Sequence, residues 1–206
     1  PSEPTDGRAG AEQVGESQEG LTRINIRRGA TGNVTDATIT TDPTNPTSGN
    51  QNSGSSINNS TGDLGTATRQ SLLGFDLSPI PANVAIISAT LTLRKQLSVG
   101  NGIVNVHKAT AGWSEATVTW NNFLGAFDPA VLATIDTGAV ANGGAAAVDL
   151  KTLVKGWHNG SIANQGILLE QPGPARAAFG ASEAPANLRP ILAVCYGPIN
   201  CGNNVQ

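Results

Sequence analysis

From Leu21 onward the chain alternates apolar and polar residues in short runs. In Leu21-Thr22-Arg23-Ile24-Asn25-Ile26-Arg27-Arg28, Ile24 and Ile26 share one face while Arg23 and Arg27 share the other. Period-two alternation marks a half-buried strand, and outward arginines suit a sheet edge, where charge discourages stray pairing. Val34 to Thr41 predicts a second strand. The same pattern recurs over Arg69 to Leu77, Ala85 to Leu97, Gly102 to Thr110 and Thr117 to Trp120, with Ile167 to Leu169 and Ile191 to Tyr196 as late strands. Thr90-Leu91-Thr92-Leu93 places both leucines inward. One segment has helical spacing: Leu150, Leu153, Val154 and Trp157 fall at i, i+3, i+4 and i+7, with Asp149 as N-cap and His158-Asn159-Gly160 as the stop. Many short strands with one helix, at about 150 to 157, predict an all-β, antiparallel β-sandwich, because the alternating helices of a parallel sheet are missing. Trp157 completes the helix stripe and is expected in the core.

Two stretches break the alternation. Residues 1–20 contain one Val and no Leu, Ile or aromatic residue, too little apolar surface to fold alone, and read as a polar N-terminal arm. Asp42 to Gly65 is rich in Asn, Ser, Gly and Pro and reads as one long loop, a place where a ligand face can lie. The sandwich is expected over residues 21–198, followed by a short tail, 199–206.

Composition narrows the chemistry more than the architecture. Charged residues make up 13% and the net charge is -3, so the basic patch of a nucleic-acid binder is not expected. No stretch approaches eighteen consecutive apolar residues, so no helical membrane span is expected. Two histidines and two cysteines leave little material for a metal or nucleophile site. No cofactor is expected; Ca²⁺ is the one metal that the oxygen-rich loops would suit, through residues such as Asp36, Asp42, Asp63 and Asp128, but no local motif selects a ligand set. Cys195 and Cys201 have Gly197-Pro198 between them to turn the chain, and are expected to form a disulfide in an oxidising, secreted setting.

Seven motifs follow one another in order: Gly32 to Ile39 (GNVTDATI), Ser71 to Pro81 (SLLGFDLSPIP), Ile87 to Leu93 (ISATLTL), Trp113 to Asn121 (WSEATVTWN), Val148 to Gly160 (VDLKTLVKGWHNG), Asn164 to Leu169 (NQGILL) and Phe179 to Tyr196 (FGASEAPANLRPILAVCY). Together they resemble the DNRLRE-domain family, which overlaps carbohydrate-binding module family 96 and is distantly similar to TGF-β propeptide folds. The resemblance runs from about Leu21 to Pro198. It implies a secreted, non-catalytic β-sandwich of jelly-roll type, from a prokaryotic cell surface or matrix.

Against that background, Trp113 and Trp120 bracket Ser-Glu-Ala-Thr-Val-Thr and can either stack on sugar rings or pack on the core. Glu115 beside Trp113 is one carboxylate, and glycoside hydrolysis needs a positioned pair; Asp76 and Glu183 are the candidates for a partner, with Glu183 more simply read as pairing with Arg189. No catalytic residues are assigned. Arg23, Arg27 and Arg28 form the one basic cluster, suited to an acidic polysaccharide or simply to a solvated edge. Two functions from different classes remain. The first is a structural subunit of an extracellular matrix or filament, whose arm contacts a neighbouring copy by strand addition, with Val14, Leu21, Ile24 and Ile26 as its apolar anchors. The alternative is a carbohydrate-binding module for an acidic polysaccharide.

Overall fold

The computed structural model describes residues 20–198. Its strands are β1 (Thr22–Ile26), β2 (Val34–Thr41), β3 (Asn58–Leu64), β4 (Ala67–Phe75), β5 (Val84–Val99), β6 (Ile103–Ala109), β7 (Phe127–Asp136), β8 (Ala145–Asp149), β9 (Ile167–Glu170), β10 (Arg176–Gly180) and β11 (Ile191–Pro198). Two short helices interrupt them, α1 (Trp120–Phe123) and α2 (Lys151–His158). Every ladder between these strands is antiparallel. The fold is an all-β sandwich built from a curled sheet.

β5 belongs to both layers. Its first part pairs with β11 and β8, giving a layer ordered β1-β11-β5-β8, while Lys95 to Val99 pair with β10 in the other layer. That second layer runs β10-β3-β4-β9-β6-β7, with β2 on the free side of β4. The main core lies between the layers, where Leu91, Leu93, Leu192 and Val194 meet Leu73, Val104, Ile167, Leu169 and Phe179. Trp157 is 6% exposed and joins this core, stacked on Phe75 with ring centroids 6.3 Å apart.

A second apolar cluster explains why Leu72-Leu73 and Ile167-Leu168-Leu169 are continuous apolar runs. Successive strand residues point to opposite faces, so Leu73, Ile167 and Leu169 enter the main core while Leu72 and Leu168 face outward. Strands buried on both faces lose their polar alternation. The outer face is covered by residues 110–127, which lay Val118, Phe123, Trp113 and Trp120 over Ala37, Ile39, Leu72 and Leu168. This covering segment carries the candidate site.

Several expectations change. The excursion from Asp42 to Gly65 contains β3, whose Asn58-Asn59-Ser60-Thr61 is too polar to show a hydrophobic period. Hydrogen bonds hold it instead: Ser60 N donates to Thr38 Oγ1 (2.9 Å), Ser71 Oγ to Ser60 O (2.7 Å) and Thr61 Oγ1 to Leu169 O (2.9 Å). Thr117 to Trp120 is not a strand; it leads into α1, where the Thr119 side chain accepts from Asn122 N and the Asn122 side chain from Thr119 N, a capping box. The predicted helix begins one residue later than expected, with Leu150 at the N-cap position, while the Asp149 carboxylate accepts from Lys151 N at 2.7 Å. Gly197-Pro198 does not turn. Both residues extend β11 opposite Ala85 and Val84. Cys195 is half-buried in β11, and Cys201 lies outside the described residues.

Candidate functional site

The covering segment is tied down at both ends. Thr110 N donates to Ala126 O (2.8 Å) and Ala109 N to Gly166 O (3.1 Å), and within it Thr117 N and Val118 N both donate to Ser114 O. Asn52 reaches across from the loop after β2, its Nδ2 donating to Glu115 O (2.9 Å) and Val118 O (2.8 Å). Gly54 is required here, because a Cβ at that position would lie 2.0 Å from Glu115 O. Gly54→Ala therefore has to push the Trp113 to Thr119 turn outward. We expect faster amide exchange at Val118 than in the unsubstituted protein, read by hydrogen-exchange mass spectrometry; unchanged exchange would show that Gly54 does not hold the turn.

Trp113 is the residue that this scaffold presents. Its indole Nε1 donates to Gln165 O at 2.9 Å, and its ring edge lies 3.5 Å from where a Cβ on Gly74 would sit, an ordinary contact distance. One cleft, of about 240 Å³, has Trp113 as a wall with Asn33, Asp76 and Gln165; a second, of about 490 Å³, lies against Trp113 from the side of Gly112, Ser114, Thr117 and Asn122. The side chains of Asn33 and Gln165 make no hydrogen bond to other described residues, which leaves their amides available to a ligand. Trp120 borders neither cleft and packs on the second apolar cluster. The two tryptophans do not form a paired platform.

Beside this turn the fold assembles a cluster that no sequence spacing announces. Arg28 Nη1 and Nη2 donate to Glu115 Oε1 (3.1 Å) and Oε2 (3.0 Å), a bidentate pair. The same guanidinium bonds Ser182 Oγ (2.6 Å) and pairs with Glu183. Glu115 Oε1 also accepts from Asp36 N (2.9 Å), and Asp36 Oδ2 from Ser182 N (2.7 Å). Asp36, Glu115 and Glu183 thus converge, with one carboxylate oxygen from each lying within 4.8 Å of the others. Burial pushes the Asp36 carboxyl up to about 6, aided by the Glu115 charge and opposed by its hydrogen bond from Ser182 N. Arg28 supplies the countercharge, so the arrangement is an ion-pair clamp that joins the end of β1, β2, the Trp113 turn and the 181–189 loop.

The remaining sequence candidates disperse. Glu183 pairs with Arg28 rather than Arg189, whose Nε donates to Ala184 O (2.7 Å) and Nη1 to Arg28 O (2.9 Å). Arg27 Nη1 donates to Ala186 O (3.3 Å), and Arg23 is exposed on β1. Arg23, Arg27 and Arg28 therefore do not present three free cations on one surface. Asp76, offered as a partner for Glu115, instead accepts from Ser78 N through Oδ1 (2.9 Å). Asp42 and Asp128 turn onto Thr44 and Ala130, away from Asp36. His107 and His158 each place a ring nitrogen on main-chain carbonyl groups. Leu21, Ile24 and Ile26 flank or form β1, which pairs with β11 of its own chain; Val14 lies outside the described residues.

No curated protein matches the sequence. A family model does: carbohydrate-binding module family 96 matches residues 30–196, a span that takes in both clefts, the Trp113 turn and the three clustered carboxylates. The chain belongs to carbohydrate-binding module family 96.

Proposed function

We propose that the protein is a non-catalytic module that binds a polysaccharide in the two clefts flanking Trp113. The supporting observation is the fixed indole between two open clefts, with the unused amides of Asn33 and Gln165 beside it. An aromatic face supplies apolar area to the C–H surface of a sugar ring, and a few convergent polar groups set its orientation. Clefts on both sides of one ring accommodate the interior of a chain as well as its end. Neither cleft has a lysine or arginine in its lining, and one contains Asp76, which favours a neutral glycan over the acidic one that the arginine cluster implied.

Titration calorimetry with neutral and acidic polysaccharides tests this. Trp113→Ala is expected to weaken binding of the preferred glycan roughly 30-fold, or about 2 kcal/mol. A variant that folds and binds as well as the unsubstituted protein would place the ligand elsewhere; preference for the acidic polymer would reverse the charge argument.

The same reading places the protein outside the cell, on a prokaryotic surface or in its matrix, with Cys195 and Cys201 joined. Thiol labelling of unfolded, unreduced protein is expected to find no free cysteine. Two labelled thiols per chain would remove the bond.

A further inference from the structure

One row of register partners crosses five strands: Thr40 of β2, Arg69 of β4, Gly62 of β3, Arg176 of β10 and Val99 of β5. Arg69 and Arg176 are thus both partners of Gly62, two strand spacings apart, or roughly 10 Å between Cα atoms. Gly62 puts no side chain between them. Its φ is +103°, and a Cβ there would lie 2.1 Å from Ala175 O, so the position requires glycine. Both arginines are half-buried.

Two cations at this separation repel, and among the described residues neither has an ion pair. Arg69 Nη1 and Arg176 Nε are buried, and neither has a hydrogen-bond partner among the described residues. Burial first, and then the Arg176 charge, hold the Arg69 guanidinium below its usual range, with the Asp42 charge opposing. The Asp42 carboxylate turns elsewhere: its Oδ1 accepts from Thr44 N (2.9 Å) and Thr44 Oγ1 (2.7 Å). A buried donor on a charged group costs more to leave unpaired than one on a neutral group. An anion between the two guanidiniums relieves both the repulsion and the unpaired donors. A carboxylate has two oxygens in one plane and is matched by a single guanidinium fork. A tetrahedral oxyanion has acceptors on opposite sides, so forks arriving from two flanking strands can share it.

We propose that Arg69 and Arg176 together bind a tetrahedral oxyanion, sulfate or phosphate, either free or as an ester carried on a glycan. Charge-assisted hydrogen bonds from both guanidiniums supply the affinity, and Gly62 keeps the space between them clear. The site is separate from the Trp113 clefts, whose linings contain neither arginine. Gly74, in the wall of one cleft, lies roughly 17 Å along β4 from Arg69.

Nuclear magnetic resonance of the arginine Nε–H groups in the full chain tests this, with sodium sulfate or phosphate titrated against sodium chloride at matched ionic strength. The Arg69 and Arg176 signals are expected to shift saturably with sulfate or phosphate and to stay in place with chloride. Arg69→Gln and Arg176→Gln are each expected to weaken that binding at least about 10-fold. In chloride, both variants are expected to melt no lower than the unsubstituted protein, because each removes one of two repelling charges. Sulfate stabilises folded proteins in general by exclusion from their surface, so the site is read by the extra rise in melting temperature that the variants lack. Dextran sulfate and unsulfated dextran separate the sources: displacement of inorganic sulfate from the same signals by the sulfated polymer identifies an ester, and binding of the inorganic ion alone identifies the free anion. Signals that do not saturate, variants that bind sulfate as the unsubstituted protein does, or variants destabilised equally in chloride and sulfate would each overturn the proposal. Glycan binding at Trp113 enters none of these readouts.

Discussion

Arg28→Ala is expected to cost about 3 kcal/mol of stability at pH 7, with most of the loss recovered on acidification toward pH 5. Removing one partner of a buried ion pair typically costs 3–5 kcal/mol, because the remaining charge is left desolvated and uncompensated. The lower end applies here because the Arg28 side chain is 33% exposed and Glu115 and Glu183 are 18% and 21% exposed. Three carboxylates would then share a space that now holds a guanidinium. The pH dependence follows from Asp36, whose carboxyl is raised from 3.8 to about 6. A raised carboxyl binds its proton more tightly in the folded state, so its contribution to stability is fully present below the unfolded value near 4 and is lost as pH rises through about 6. In the unsubstituted protein that loss is about 3 kcal/mol at pH 7, at 1.36 kcal/mol per unit. Without Arg28, the Asp36 and Glu115 charges repel without relief, so protonation restores more. Urea unfolding at pH 5 and pH 7.5 tests this: an equal deficit at both values would show that Arg28 acts by packing alone. Asp36→Asn keeps an oxygen for Ser182 N–H and is expected to flatten the pH dependence.

Trp157→Ala is expected to cost about 3–5 kcal/mol, the range for emptying a large aromatic from a core. The indole stacks on Phe75 and closes the apolar face of α2 over the main core with Leu153 and Val154. Among the described residues its buried Nε1–H has no hydrogen-bond partner, so the indole contributes volume and dispersion contacts while carrying a polar group that gains nothing. Trp157→Phe is accordingly expected to cost under about 1.5 kcal/mol, since it keeps most of the apolar contact and removes the orphan donor. Equilibrium unfolding of both variants separates the two contributions. If the phenylalanine variant loses as much as the alanine variant, a hydrogen bond or the full indole volume is essential after all.

Which elements were legible follows from what a hydrophobic pattern can carry. β2 matches the predicted run from Val34 to Thr41, and β1 lies at an edge as its arginines implied, because each presents one apolar face. α2 was visible because Leu153, Val154 and Trp157 repeat at helical spacing on a face that is buried. β3, β7, β8 and β10 were not visible. β3 is held by hydroxyl and amide hydrogen bonds, β7 is largely exposed, and the alanine-rich β8 and β10 pack by small size rather than by apolar contrast. Trp113 was recognisable as a candidate, yet the sequence favoured packing of its ring on the core over stacking on sugar. That it borders two clefts follows only from the folded chain, which brings Gln165 O to its indole N–H and Asn33, Asp76 and Asn122 around it.

The sequence by itself determined the all-β class, the edge strand, the helix, the core role of Trp157 and the motif order of the family, since these depend on local periodicity and on residues close in the chain. The tertiary structure alone decided the charge state of the surface. Arg28 and Glu183 are 155 residues apart, and no spacing rule relates either to Asp36 or Glu115. A charged side chain costs or contributes free energy according to what lies within a few ångströms of it, and that neighbourhood exists only after the strands have paired.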